Sequence, residues 1–349
     1  MIKYIFLLTL LITIPFSSYS QASSEKLIRR GVSLHDKGRY KEAVNYYEQA
    51  LKINPNSMSA IYEMSLSYLY LKDYNNALKY STKVINANFQ PLLVDAYCVK
   101  SSALADLNRV SDAIKLLNEA IDRCGDEYLL HYNLGLSYFK TKNTKFAIAH
   151  LRKAIEIDTT HPSSFLLYAY ALNDSDKWVQ SFLAFHFFLF LEPNTPRSKD
   201  AFTEMFEMIT AAVPANSPRL SVEDGIDQKK IYDFIQTQIP KSDDPEIQFN
   251  FFREVTRKTI IYLNQVQSDS KRGLMWDFFV PIYSEILASG YMETYCRYVS
   301  ASYFPTSFEW WNNNTAEVDK FIIWFEEGQG GNYSEMDEEE LDEDADEIL

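Results

Sequence analysis

Residues 308–314 read Phe-Glu-Trp-Trp-Asn-Asn-Asn. Two adjacent indoles beside three carboxamides could hold a sugar ring or a peptide, the rings stacking and the amides hydrogen-bonding. Trp310, Trp311 and Asn312 are therefore candidate ligand-pocket residues, although their spacing matches no established motif and aromatic residues commonly fill a core. The other residues able to do chemistry are scattered. His35, His131, His150, His161 and His186 never take a metal-binding spacing such as H-E-x-x-H. There is no nucleophile elbow, no phosphate-cradling glycine loop and no Cys-x-x-Cys pair. No catalytic residue, metal site or cofactor is expected, and the chain reads as a non-enzyme. Cys98, Cys124 and Cys296 are odd in number. Cys98 opens one helix and Cys124 ends the next, which leaves open a disulfide or two buried thiols.

The elements that would position such residues recur. Ala43 returns as Ala77, Ala113, Ala147 and Ser181, at gaps of 34, 36, 34 and 34. Gly31, Ser65, Ser101, Gly135 and Ala169 form a second column with the same gaps, and Leu34, Tyr68, Leu104, Tyr138 and Leu172 a third. The shared step of 36 places one two-residue insertion near residues 89–95. Each unit is predicted to be two antiparallel helices. The small columns let the backbones approach, and Leu27, Leu34 and Tyr47 fill the seam. One pair cannot bury its apolar face alone, so neighbours stack and share a core. Pro55 and Pro193 are expected to stop the second helices of their units.

These columns resemble the tetratricopeptide repeat (TPR) family over residues 24–195, in units 24–57, 58–91, 94–127, 128–161 and 162–195. The first unit carries Leu27, Gly31, Leu34, Ala43, Tyr47, Ala50 and Pro55 at the family's positions; the fourth carries Leu134, Gly135, Tyr138, Ala147 and Ala154. In the second, Ser81 and Val84 replace the usual bulky and small pair, and in the fifth Phe188 stands where a small residue belongs. The resemblance implies an all-α solenoid whose first helices line a concave groove that binds protein or peptide partners. In that register Tyr62, Leu66, Tyr70, Tyr132, Leu136, Phe139, Leu166 and Tyr170 form the expected partner-binding stripe, apolar and aromatic. Ser59, Leu69, Leu129, Lys140, Asp95, Cys98, Ser102 and Asp106 are further groove positions. The Lys, Asn and Arg set with which the family clamps a terminal carboxylate is missing.

The remaining chain is expected to hold a capping helix at 196–213, a linker at 214–227 and an aromatic-rich helical domain at 228–333. Within it, helices are predicted near 228–239, 247–267, 274–304 and 314–327, the third interrupted by Pro281 and near Gly290. The formal charge is −14, and residues 335–349 hold ten acidic and no basic residues, which leaves −4 for everything else. The segment 334–349 is expected to be a disordered acidic tail, and the charge sign disfavours nucleic acid.

At the other end, Lys3, the apolar run 4–16 and the pair Ser18 and Ser20 read as a signal peptide over 1–20, too short to span a membrane. The expectation is therefore an exported chain, periplasmic or at the outer surface if bacterial, that acts as a non-catalytic scaffold or adaptor. The alternative is an exported ligand- or glycan-binding, even hydrolytic, protein with its site in the aromatic domain. N-terminal sequencing of the native protein is expected to find the first residue at or near Gln21; an intact Met1 in a cytoplasmic fraction would overturn export.

Overall fold

Paired helices, joined by short turns, form the first part of the chain. The structure, a computed structural model, describes residues 14–329. The predicted acidic tail and most of the predicted signal peptide lie outside the described residues. The chain divides by its contacts between Ala171 and Leu172 into two compact units. The architecture is all-α, as the repeats predicted, apart from one two-stranded hairpin among the described residues. No helix among the described residues is long and apolar enough to cross a membrane.

The first unit holds α1 (Ile14–His35), α2 (Tyr40–Ile53), α3 (Met58–Tyr70), α4 (Tyr74–Asn86), α5 (Leu93–Asp106), α6 (Val110–Cys124), α7 (Tyr128–Lys140) and α8 (Thr144–Ile157), with α9 (Pro162–Asn173) at the division. Each helical pair closes through the same turn. The amides of Arg39, Asp73, Arg109 and Asn143 donate to the carbonyls of Leu34, Tyr68, Leu104 and Tyr138, at 2.9, 2.9, 2.9 and 3.0 Å. These carbonyls belong to the third sequence column. The residue before each amide has positive φ: Gly38 at 73°, Lys72 at 61°, Asn108 at 64° and Lys142 at 61°. Only the first is glycine, so the hydrogen bond holds three side-chain-bearing residues in a left-handed conformation that costs about 1 kcal/mol or more each. The two-residue insertion appears as a longer connection: residues 87–92, including a 3₁₀ turn at Gln90–Leu92, join α4 to α5, where residues 54–57 join α2 to α3.

Small residues then set the seam. A β-carbon on Gly135 would lie 2.5 Å from Leu151 Cγ, and one on Gly31 would strike the ring of Tyr47. Ala43, Ala77, Ala113 and Ala147 are fully buried. Helices α1, α3, α5 and α7 pack successively beside one another more closely than the second helices α2, α4, α6 and α8 do. The first helices therefore line the inner side of the array. Cys98 and Cys124 are both thiols and pack against the same cluster, built on Leu93, Ala96 and Tyr97.

The second unit is organised around α10 (Trp178–Leu191), in which every residue from Trp178 to Leu189 is buried. A helix buried on all faces has no polar stripe for periodicity to reveal. Around it lie α11 (Pro196–Thr210), α12 (Gln228–Gln238), α13 (Pro245–Val266), α14 (Val280–Ala288), α15 (Met292–Val299), α16 (Pro305–Asn313) and α17 (Thr315–Gln329). His186 is fully buried on α10, stacked on Phe252 and hydrogen-bonded to the Tyr295 hydroxyl at 2.8 Å. Burial pushes its imidazole down to about 3, so it stays neutral.

One expectation needs correction. The segment 214–227 is not a plain linker: Val222–Glu223 pairs antiparallel with Ile226–Asp227 across Asp224 and Gly225, whose φ values of 50° and 73° suit a tight hairpin turn. Gln180 Nε2 donates to Asp224 at 2.7 Å and fastens the hairpin to α10. The helical stretch 274–304 is interrupted where expected: a π-helical turn at Leu274–Phe279 leads into α14, which has Pro281 in its first turn, and Gly290 at φ 84° lies in the break before α15.

Gly135→Leu is expected to destabilise the chain, because the added side chain must displace Leu151 in a packed seam. Overpacking of this kind costs ~1–3 kcal/mol or more. A thermal melt that overlays the parent's would overturn this account of the seam.

Candidate functional site

The inner layer of α3, α5 and α7 holds most of the residues that the repeat register assigned to a partner groove. Close packing of these helices leaves the stripe less exposed than a bare apolar groove would be. Tyr62 and Leu66 pack against the cluster of Ala77, Val99 and Ala103, joining α3 to α5. They therefore support the fold itself. Leu136 lines a cleft, and Phe139 lies under the ammonium of Lys142, 5.6 Å from the ring centre. Tyr132, Leu166 and Tyr170 are half-buried, and Tyr132 meets the His161 ring edge-on at 5.0 Å. Tyr70 is the stripe residue most open to solvent, 55% exposed, and it stacks on Tyr40 at 5.1 Å.

Between α5 and α7 the layer opens into a cleft of about 150 Å³ lined by Ser101, Ser102, Asp106, Asn133, Leu136 and Lys140. Lys140 Nζ donates to Asp106 at 3.2 Å across the cleft. Asn133 Nδ2 donates to the Leu129 carbonyl at 2.7 Å, which turns its amide oxygen toward Ser102, 3.5 Å away. The groove is therefore mixed, not apolar throughout.

Sequence reasoning passed over Glu63, which follows Tyr62 on α3. Its carboxyl is pushed up to about 7 by burial, with Asp36 and Asp95 adding like-charge repulsion. Burial also raises Asp95. No ion pair among the described residues neutralises Glu63 or Asp95. The legible signal was a charged residue between Ile61 and Met64, both buried, on a helix of the inner layer.

A second polar group sits deeper in the repeats. His131 Nε2 lies 3.1 Å from Asp126 Oδ1 and His131 Nδ1 lies 3.0 Å from His150 Nδ1. A carboxylate acceptor fixes the proton on His131 Nε2, so His150 Nδ1–H donates to His131. Burial pushes His150 down to about 4, helped by the neighbouring His131. This is a satisfied structural network, and no group of three or more metal-ligating side chains exists among the described residues.

The aromatic alternative comes apart. Trp310 lines a depression of about 230 Å³ with Glu246, Arg297, Thr306, Asn313 and Asn314. Trp311 instead packs on Tyr298 at 4.8 Å, and Asn312 is exposed and outside the depression. The two indoles form no common stacking platform. Of the two carboxylates that line the depression, Glu309 is exposed and Glu246 accepts two bonds from Arg297 at 2.9 and 2.5 Å; Arg297 also donates to Glu293 at 3.0 Å. The guanidinium also lies 3.5 Å from the Phe249 ring centre. Arg297 holds Glu246 below the usual carboxylate range, the wrong direction for a general acid.

Tetratricopeptide-repeat family models match residues 24–57 and 128–161, and another matches 59–91. No curated protein matches the chain. Among solved structures, a thermophilic TPR protein of Thermus thermophilus is 23% identical, with a TM-score of 0.47, over 54% of this chain and 99% of its own. The pilF protein of Pseudomonas aeruginosa is 15% identical, with a TM-score of 0.47, over 77% and 99%. The TPR protein YrrB, described as having an unusual peptide-binding site, is 15% identical, with a TM-score of 0.36, over 51% and 93%. At such values no ligand or partner transfers to this chain.

Arg297→Ala is expected to lower stability by ~2 kcal/mol, since it strands the partly buried Glu246, leaves Glu293 with Arg253 alone and uncovers Phe249. Urea unfolding checks this; an unchanged midpoint would reopen the depression as a ligand site.

Proposed function

We propose that this chain, whose N-terminal unit belongs to the tetratricopeptide-repeat family, is a non-catalytic scaffold that binds protein partners along the inner layer of its repeats. We further propose that it works after export, on the strength of the apolar leader at 4–16. The observation that carries the binding proposal is the half-buried Glu63, paired with no cation and set beside Tyr62 and Asp95. A partly desolvated carboxylate without a partner is a cost to the free protein. A lysine or arginine delivered by a partner would remove that cost. Tyr70 further along α3 and Leu136 on α7 offer apolar contact, and the Asp106–Lys140 cleft offers a polar stop. The partner is then a segment that joins a basic residue to aliphatic or aromatic anchors. Anchors of that type dominate interface energies, at ~2 kcal/mol or more for each hot spot.

The sign of the pH dependence follows from Glu63. Its carboxyl titrates near about 7, so it is mostly neutral at mildly acid pH and mostly ionised at mildly basic pH. An ion pair needs the ionised form, so partner affinity should rise with pH by about fivefold, equivalent to ~1 kcal/mol. The test is retention of the native partner on immobilised mature protein, compared at mildly acid and mildly basic pH. Glu63→Gln should flatten the profile, and Tyr70→Ala with Leu136→Ala should weaken retention at every pH without shifting the melting temperature. Retention that ignores all three substitutions would remove the inner layer as the binding face.

A further inference from the structure

Between α12 and α13 of the second unit lies a groove of about 240 Å³ that neither the scaffold function nor the aromatic core uses. Ile231, Phe234, Ile261 and Tyr262 give it apolar walls, and Lys230 and Lys258 stand exposed at its edge. Its volume is below the ~300 Å³ at which small-molecule sites begin, and suits one or two aliphatic side chains. Thr259 also lines it, and the Thr259 hydroxyl is buried with no hydrogen-bond partner. A buried hydroxyl left unpaired is destabilising. A peptide group entering the groove would satisfy it, whereas a hydrocarbon tail would not.

A suitable segment of the same chain is close by. Gly328, near the end of α17, sits against α14: a β-carbon there would lie 3.5 Å from Glu285 Oε1. The next residue back on α14, Ser284, donates to Asn264 Oδ1 on α13 at 2.5 Å. Gln265, adjacent to Asn264, lines the groove. The end of α17 is thus about 20 Å from the groove, two helix spacings away. Residues 330–349 follow, and could extend over ~65 Å. They combine ten carboxylates, from Glu335 to Glu347, with the aliphatic residues Leu341, Ile348 and Leu349.

We propose that the acidic segment 330–349 docks in the α12–α13 groove of its own chain, with aliphatic side chains between Ile231 and Ile261 and carboxylates on Lys230 and Lys258. Charge complementarity and the short path from α17 select this occupant. Lys230 is itself largely in solvent, and its ion-pair partner among the described residues, Asp227, is 3.7 Å away, so its charge remains available.

The test is zero-length carbodiimide coupling in the full chain, mapped by mass spectrometry. Links from Lys230 and Lys258 to tail carboxylates are expected, at a yield independent of protein concentration. The tail variant Leu341→Ser, Ile348→Ser and Leu349→Ser, which leaves every charge and the folded core in place, should lower that yield about fivefold, the equivalent of ~1 kcal/mol. Amide exchange across 228–238 and 258–265 should quicken in the same variant. Links spread evenly over exposed lysines such as Lys229 and Lys320 would overturn the proposal, as would a yield indifferent to the triple substitution. Links that join two chains and rise with concentration would overturn it in favour of an interface between copies.

Discussion

A backbone amide reaching five residues back closes every helical pair in the first unit, and that bond decides where everything else can lie. It holds Lys72, Asn108 and Lys142 in the left-handed region without glycine. The pairs therefore turn at the same place, and the small residues of one helix meet the large residues of the next. Gly31 under Tyr47 and Gly135 under Leu151 are the consequence. The turn also fixes which helix of each pair faces inward. The inner layer, and with it the proposed binding face, inherits its register from one hydrogen bond repeated along the chain. The same bond persists past the division between the units, where Lys177 N donates to Leu172 O at 3.0 Å and Asp176 takes a φ of 60°.

That repetition is why the first unit was legible in the sequence. A constraint imposed at each repeat leaves the same residue types at the same offset, and columns through Ala43, Gly31 and Leu34 report it even where Ser81 and Val84 weaken the pattern. The second unit has no such redundancy. His186 stacks on Phe252 and bonds to Tyr295, contacts across 66 and 109 residues that nothing else in the chain repeats. Its aromatic density announced a core but not a topology. The hairpin could have been found, since Asp224-Gly225 is a strong turn signal. Its strands of two residues each are too short to show alternation.

The proposed binding face was half legible for a related reason. Repeat register locates a face but cannot say how much of each side chain the neighbouring helix covers. Tyr62 and Leu66 were assigned to the groove and also brace α3 on α5, while Tyr70, one turn further along α3, remains open. Glu63 escaped because one acidic residue in a helix is ordinary. What distinguishes it is burial beside Asp36 and Asp95, residues 27 positions before and 32 after it, and only the fold brings these together.

Charge sorts the apolar surfaces that the two units present. The repeat face pairs its aromatic residues with Glu63 and Asp95, so it favours a segment whose apolar anchors carry positive charge. The α12–α13 groove pairs similar apolar walls with Lys230 and Lys258, so it favours the opposite sign. Hydrophobic burial is non-directional and would let either surface accept either segment. Like charges brought together on desolvation cost several kcal/mol and make the exchange unfavourable. A partner segment chosen by the repeats is thus the wrong sign for the groove. One chain can keep two apolar surfaces without their competing for a single ligand, because the discrimination comes from the charges at their edges.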